Sequence, residues 1–293
     1  MQRKFLVNLG FLLLVNLLVK PFYIFGIDAQ FQNELGDQYG NYFALLNLSF
    51  LFNIVLDFGV NNYNVRQIAR HPQLGKKNVI QIVNLRGLLF IAYTFITLVV
   101  AFISGYEKAD FTILSLLIFN QFLVGMNQYF TSNFKGFHQF KTDAIMSVLD
   151  RVLMILFGAM LLWGDFLHLE VNILHFVLAQ TLAYFISFAI NGLLTLKNGV
   201  DQRRKWSWKF NRRILKRSLP YALLILLMMM YSRIDSVMLE RLIGDRAAAD
   251  YAKGFRLLDA FNMFALLFAS LLLPIFARTI KEKIHLGETV HIA

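Results

Sequence analysis

Apolar runs of about twenty residues recur eight times along this chain, and no other feature narrows its fold so far. They cover approximately 5–25, 42–60, 79–103, 111–130, 144–163, 171–196, 219–239 and 255–277. A hydrocarbon core about 30 Å thick is crossed by roughly 20 residues of helix, which satisfies its backbone hydrogen bonds within the segment. A membrane barrel would instead need alternating segments of about ten residues, and the chain has none. The expected fold class is an all-α integral membrane protein, a polytopic bundle of about eight transmembrane helices. Only 16% of the residues are charged, against about 25% in soluble domains. Mean hydropathy is +0.55. The first run follows Arg3 and Lys4 as a signal peptide's would. It is too long for one and lacks a small-residue cleavage site, so it is expected to stay in the membrane.

Loop charges orient the bundle, because Lys and Arg accumulate on the cytoplasmic side of short loops. One set of segments holds Arg3 and Lys4; Arg66, Arg70, Lys76 and Lys77; Lys135 and Lys141; nine cations between Lys197 and Arg217; and Arg278, Lys281 and Lys283. The alternate loops are net acidic, with Asp28, Glu34 and Asp37; Glu107, Lys108 and Asp110; Asp165 and Glu170; and Glu240, Arg241, Asp245, Arg246 and Asp250. The amino terminus is therefore expected inside, and the chain is expected to end inside. The net charge of +11 follows this topology segment by segment, so no nucleic-acid partner is implied.

There is no cysteine, which excludes disulfides and thiolate metal sites, and the six histidines lack metal-binding spacing. No cofactor or metal is expected. One connection is long, Lys197 to Ser218, basic and carrying Trp206 and Trp208. It reads as a helix lying on an anionic inner leaflet, with membrane lipids as its partner. It also reads as a lobe boundary: 1–196 as a six-helix lobe, 197–218 as a linker, and 219–293 as the first two helices of a second lobe. Gly36, Asp37 and Tyr39 are loosely echoed by Gly244, Asp245 and Tyr251, as an internal repeat would require. A matching second lobe would be short by about four helices, so the chain is expected to be truncated at its C-terminus.

Charges inside apolar runs need a reason, since each costs at least about 2.5–3.5 kcal/mol at mid-membrane. Asp57 either caps a helix before Gly59 or faces a polar cavity and pairs with a buried cation. Lys20 precedes Pro21, where a helix kinks or breaks, although its stem could also snorkel to the interface. Arg86 sits shallow enough to snorkel, and Asp150 could pair with Arg151 or another helix. Arg233 and Asp235 project on different faces. Lys253, Arg256 and Asp259 follow at helical spacing and read as a cationic stripe. Lys20, Arg86, Arg233, Lys253 and Arg256 outnumber the acids placed within the runs, so a cavity between these helices should prefer an anion. The expected substrate-binding residues are Lys20, Asp57, Arg233, Lys253 and Arg256.

The stretches LDFGVNNYNVRQIAR, FKGFHQFKTDAIMSVLDRVLMIL and YSRIDSVMLERLIGD with YAKGFRLLDAF resemble those of bacterial Wzx-type polysaccharide flippases. These belong to the superfamily that also holds multidrug exporters. The resemblance implies two lobes around a cationic cavity and alternating access. The partner it implies is a lipid-linked oligosaccharide, an undecaprenyl pyrophosphate carried from inner to outer leaflet of a bacterial inner membrane. Proton or sodium coupling stays open. The alternative is an ion-coupled exporter of the same superfamily, with Asp57 as ion carrier. A membrane acyl- or glycosyltransferase is less favoured: His138 and Asp143 form an isolated H-x4-D spacing, and no paired carboxylates or glycine-rich phosphate loop accompany it. The chain is therefore not expected to be an enzyme.

Overall fold

A computed structural model describes residues 2–61, 64, 68, 72–137, 139–164, 172–197, 207–259, 261 and 262. Every regular element among them is helical. The first, α1 (Gln2–Phe22), reaches Pro21, whose missing N–H interrupts the hydrogen-bond ladder. The helix does not end there. It widens into a π-helical turn over Tyr23–Asp28 and resumes as α2 (Ala29–Leu35). Asp28, expected in an acidic loop, is therefore part of a continuous helical rod.

Gly36 turns the chain at φ 52° into α3 (Asp37–Leu51). The helix expected over 42–60 thus starts earlier and breaks at Phe52 and Asn53. A single turn, α4 (Ile54–Asp57), follows and is closed by left-handed Phe58 and Gly59. A left-handed phenylalanine is strained, and it sets where Asp57 points.

Four long helices complete the frame with one broken one. They are α5 (Pro72–Ile103), α6 (Lys108–Gly136), the pair α7 (Phe140–Met146) and α8 (Leu149–Trp163), α9 (Ile173–Lys197), and α10 (Trp208–Ile243). Proline suits the first turn of α5, where its missing donor is not needed. At the start of α6, Glu107 and Asp110 form a reciprocal capping box. The last connection differs from expectation: from Trp208 onward it is not a separate surface helix but the beginning of α10. Trp206 lies outside the described residues. Gly244, at φ 112°, then turns the chain into helical residues 245–259.

Among the described residues, five segments are long and apolar enough to cross a membrane: Asp37–Asp57, Lys77–Ile103, Lys108–Lys135, Lys141–Trp163 and Ile173–Lys197. The runs at 5–25 and 219–239 fall within α1, the π turn and α10, and most of 255–277 lies outside the described residues. The protein is an all-α polytopic membrane bundle. Its centre is α3: 67% of the apolar stretch within Asp37–Asp57 is buried, against 22% for that within Lys77–Ile103 and 17% for that within Lys141–Trp163. The outer faces carry exposed Ile91, Phe95, Phe102, Leu156 and Met160, which suit contact with lipid tails.

Antiparallel packing gives the bundle an acidic end, with Asp37, Glu107, Asp110 and Asp245, and a basic end, with Lys77, Lys135, Lys141 and Lys197. At the acidic end the helix from 245 presses against α3. A Cβ on Gly40 would stand 2.0 Å from the Asp245 carbonyl oxygen and 2.9 Å from the Ala249 nitrogen. Gly158 likewise admits Ile27 and Phe31 to within contact of α8.

Candidate functional site

The polar groups converge where α3, the π turn, α10 and helix 245–259 meet. Arg256 is buried, 7% exposed. Its guanidinium donates to the Asp28 carbonyl oxygen at 2.8 Å and lies 3.0 Å from the Asp28 carboxylate. It also sits 4.6 Å over the Tyr39 ring, and the Tyr39 hydroxyl lies 3.2 Å from each Asp28 oxygen. Beside it, Gln32 donates to the Ala249 carbonyl at 2.8 Å. Tyr42 and Gln180 exchange hydrogen bonds beneath, tying α3 to α9. This ion pair joins residues from opposite ends of the chain, so it holds the amino-terminal helices to the carboxyl-terminal ones.

One layer away, Arg233 of α10 grips Asp259 with both nitrogens, at 3.2 and 3.3 Å, and donates to Asn47 of α3 at 3.2 Å. Phe50 and Phe255 stack on its faces at 5.1 and 4.9 Å. Lys253 is exposed and bonded to Asp250 at 2.8 Å, which holds that carboxyl below its ordinary value. It also lines a cavity of about 230 Å³ at the acidic end, with Gln32, Asn33, Asp37 and Arg246. Close by, buried Glu240 accepts the Tyr106 hydroxyl at 3.0 Å and Arg241 Nε at 2.6 Å. Arg241 stands 3.9 Å over the Tyr106 ring and donates to the Gly105 carbonyl at 3.2 Å. Burial pushes the Tyr106 phenol up, and the Glu240 carboxylate adds to the shift.

Several expectations need correction. Asp57 does pair with a buried cation, but that cation is Arg86 and not one of the cations expected to bind substrate, Lys20, Arg233, Lys253 and Arg256. Arg86 does not snorkel, being 2% exposed. It donates to Asp57, to Asn61 Oδ1 at 2.7 Å and to the Gly125 carbonyl at 2.6 Å, under the Tyr129 ring at 5.2 Å. The supposed stripe of Lys253 and Arg256 divides, because one faces out and the other in. The cation excess shrinks to Lys20, because Asp28, Asp57, Asp250 and Asp259 each take one of the other four cations. Lys20 is partly buried near the basic end, with Asp143, Asp150, Arg151 and Lys135 as its charged neighbours.

So the structure brings Arg233 and Arg256 to one seam, sets Lys253 at its rim, and leaves Asp57 and Lys20 elsewhere. Asp28, Tyr39 and Asn47 are the groups sequence reading missed. A signal existed: Ile27, Phe31 and Leu35 continue helical spacing straight through the segment read as a loop. Of the H-x4-D pair, Asp143 is wholly buried and His138 lies outside the described residues. Among the described residues, no group of three or more His, Asp or Glu could hold a metal ion.

Comparison with known proteins adds one finding. The model of a family described as polysaccharide biosynthesis protein matches residues 5–280. No curated protein and no solved structure matches.

Proposed function

The chain belongs to the polysaccharide biosynthesis protein family, and from that premise we propose that it is a Wzx-type flippase of a bacterial inner membrane. Its cargo is an oligosaccharide on undecaprenyl pyrophosphate, taken from the inner to the outer leaflet for surface polysaccharide assembly. The amino terminus and the basic end face the cytoplasm, where the positive-inside rule puts them.

One observation carries the mechanism: the seam between the two parts of the chain is held by buried Arg256 on Asp28, with Arg233 on Asp259 beside it. A guanidinium released from its carboxylate inside a membrane bundle must find another anion, since an unpaired buried charge is costly. The oxygens of a diphosphate are such an anion. Cargo binding therefore exchanges partners, phosphate for Asp28 and Asp259, and in doing so unties the acidic end. Release of the cargo there restores the carboxylate pairs and reseals the seam. Lys20 lies eight residues before Asp28, about 12 Å along the helical rod, so it meets the diphosphate before Arg256 rather than together with it. Lys253 at the rim meets it last. Asp57 holds Arg86 and the bend after α4, a structural part in the same cycle.

The test is translocation in vesicles containing the full chain and a fluorescent polyprenyl-pyrophosphate glycan. With the protein present, inner-leaflet glycan should become accessible to an added lectin, and Arg256→Gln with Arg233→Gln should abolish this while the protein stays in the vesicle. Glycan that remains inaccessible with the wild-type chain, or crosses equally with the double variant, counts against the proposal.

A further inference from the structure

Asp143 has no part in the seam, and its surroundings are unlike those of the other acids. It lies on α7, a helix of seven residues flanked by Gln139 and by the break at Ser147 and Val148. Its side chain is 0% exposed, and among the described residues neither carboxylate oxygen has a hydrogen-bond partner. Among the described residues the cation paired with it is Lys135 of α6, whose Nζ lies 3.9 Å away, beyond hydrogen-bond reach, on a half-exposed side chain. From α1, Lys20 also faces it. On its own helix Lys141 points outward. From α8, Asp150 caps the Arg151 N–H, and the Arg151 guanidinium is bound to Tyr184.

An ionised carboxylate sealed from water with no donor on either oxygen is a poor resident of such a site, whereas a neutral carboxylic acid is tolerated. A metal ion is a worse answer. It needs several oxygen ligands, Asp143 offers one carboxylate, and two ammonium groups face it. We propose that Asp143 is a proton-binding site at the basic end of the bundle, carrying its proton in the state described and releasing it to water when Lys135 or Lys20 closes into contact.

The helices allow that closure. Asn16 of α1 donates to Ser147 at the end of α7, at 3.3 Å, so α1 and the short helix are linked just where the chain bends. Lys20 stands one turn further along α1, next to Pro21 and the widened turn that follows. A shift of α1 against α7 changes the distance between Lys20 and Asp143. The carboxylic acid becomes a carboxylate, its proton leaves for water, and an ammonium group takes over as partner. Proton binding stands without reference to cargo. Resting on the transport reading, it would also be the point at which a proton gradient drives the cycle.

Infrared difference spectra of the purified full chain in detergent, recorded as pH is stepped upward, read the proton directly and without cargo. The wild type should lose a carboxylic-acid carbonyl band that Asp143→Asn lacks at every pH. Lys135→Met should keep that band to a pH about one unit higher, because it removes a cation that favours the ionised form. Helical circular dichroism and a monodisperse elution profile establish that each variant is folded. If Asp143→Asn does not fold, Asp143→Glu takes its place and should show the band at an altered midpoint. A wild-type band that survives intact in Asp143→Asn, or a midpoint unmoved in Asp143→Glu, overturns the assignment and makes Asp143 a permanent ion-pair partner of Lys135. In vesicles, Asp143→Asn should make glycan translocation indifferent to an imposed pH gradient, and dependence equal to wild type would refute the coupling alone.

Discussion

Replacing Arg256 with glutamine removes the cation from Asp28 while keeping part of the stem that packs on Tyr39. Breaking one side of a buried ion pair typically costs about 3–5 kcal/mol, because the remaining charge is left uncompensated. Here Asp28 keeps the Tyr39 hydroxyl, 3.2 Å from each oxygen, and is 15% exposed, which favours the lower figure. The lost bond to the Asp28 carbonyl is contained in that figure rather than added to it. At roughly 2–4 °C per kcal/mol for a chain of this size, a loss of about 3 kcal/mol lowers the unfolding midpoint by about 6–12 °C. Asp28→Asn should cost a similar amount. The double variant places two neutral amides face to face, and its cost should fall short of the sum by about 2 kcal/mol. Tryptophan fluorescence in a mild detergent measures all four proteins. Single variants within about 2 °C of wild type, or a double variant that is simply additive, would show that the pair does not hold the seam.

Gly40→Val should destabilise by about 3 kcal/mol, since the backbone atoms it meets cannot rotate away, whereas Gly87→Ala on α5, with nothing near its Cβ, should be neutral or slightly stabilising in the same melts. Arg86→Lys keeps the charge but not the fork that reaches Asp57, Asn61 and the Gly125 carbonyl, and should cost about 2 kcal/mol by thermal unfolding; an unchanged midpoint would mean one contact suffices. In the cysteine-free chain, single cysteines at Asp37, Lys108 and Asp165 should react with an impermeant thiol reagent added outside cells, and those at Lys76 and Lys205 should not. The opposite pattern would invert the proposed orientation.

The class of fold was legible because lipid leaves so few choices: a run of about twenty apolar residues has little option but to be a helix. Boundaries were less legible. Asp28 and Glu34 look like loop residues by charge, yet Ile27, Phe31 and Leu35 bury one face of the same segment, and packing prevailed over polarity. Likewise the basic stretch before Ser218 is already helix from Trp208, because polar helix residues that emerge from a bilayer need no apolar signature. Within the site, the cations could be picked out singly but not paired. Arg256 and Asp28 are 228 positions apart, and only the packing of α3 against helix 245–259 brings them together. Lys253 and Arg256 share a spacing but not a fate, since the three-residue step spans the edge between covered and open surface.

The widened turn after Pro21 has a bearing on how this chain tolerates change in length. A π turn holds one residue more than the α-helical path it replaces, and each residue of an α-helix advances the azimuth by about 100°. Deleting a single residue between Tyr23 and Asp28 would let the rod become uniformly α-helical, with Asp28 and Phe31 still in register with Tyr39 and α8. Because the six residues of the widened turn cover about the azimuth that one fewer α-helical residue would cover, everything upstream would keep its facing, with Asn16 and Lys20 still toward Ser147 and Asp143. The turn is therefore the place where the rod can lose one residue without re-aiming either half, whereas the same deletion in the α-helical stretch between Asn16 and Lys20 would turn one half against the other by about 100°.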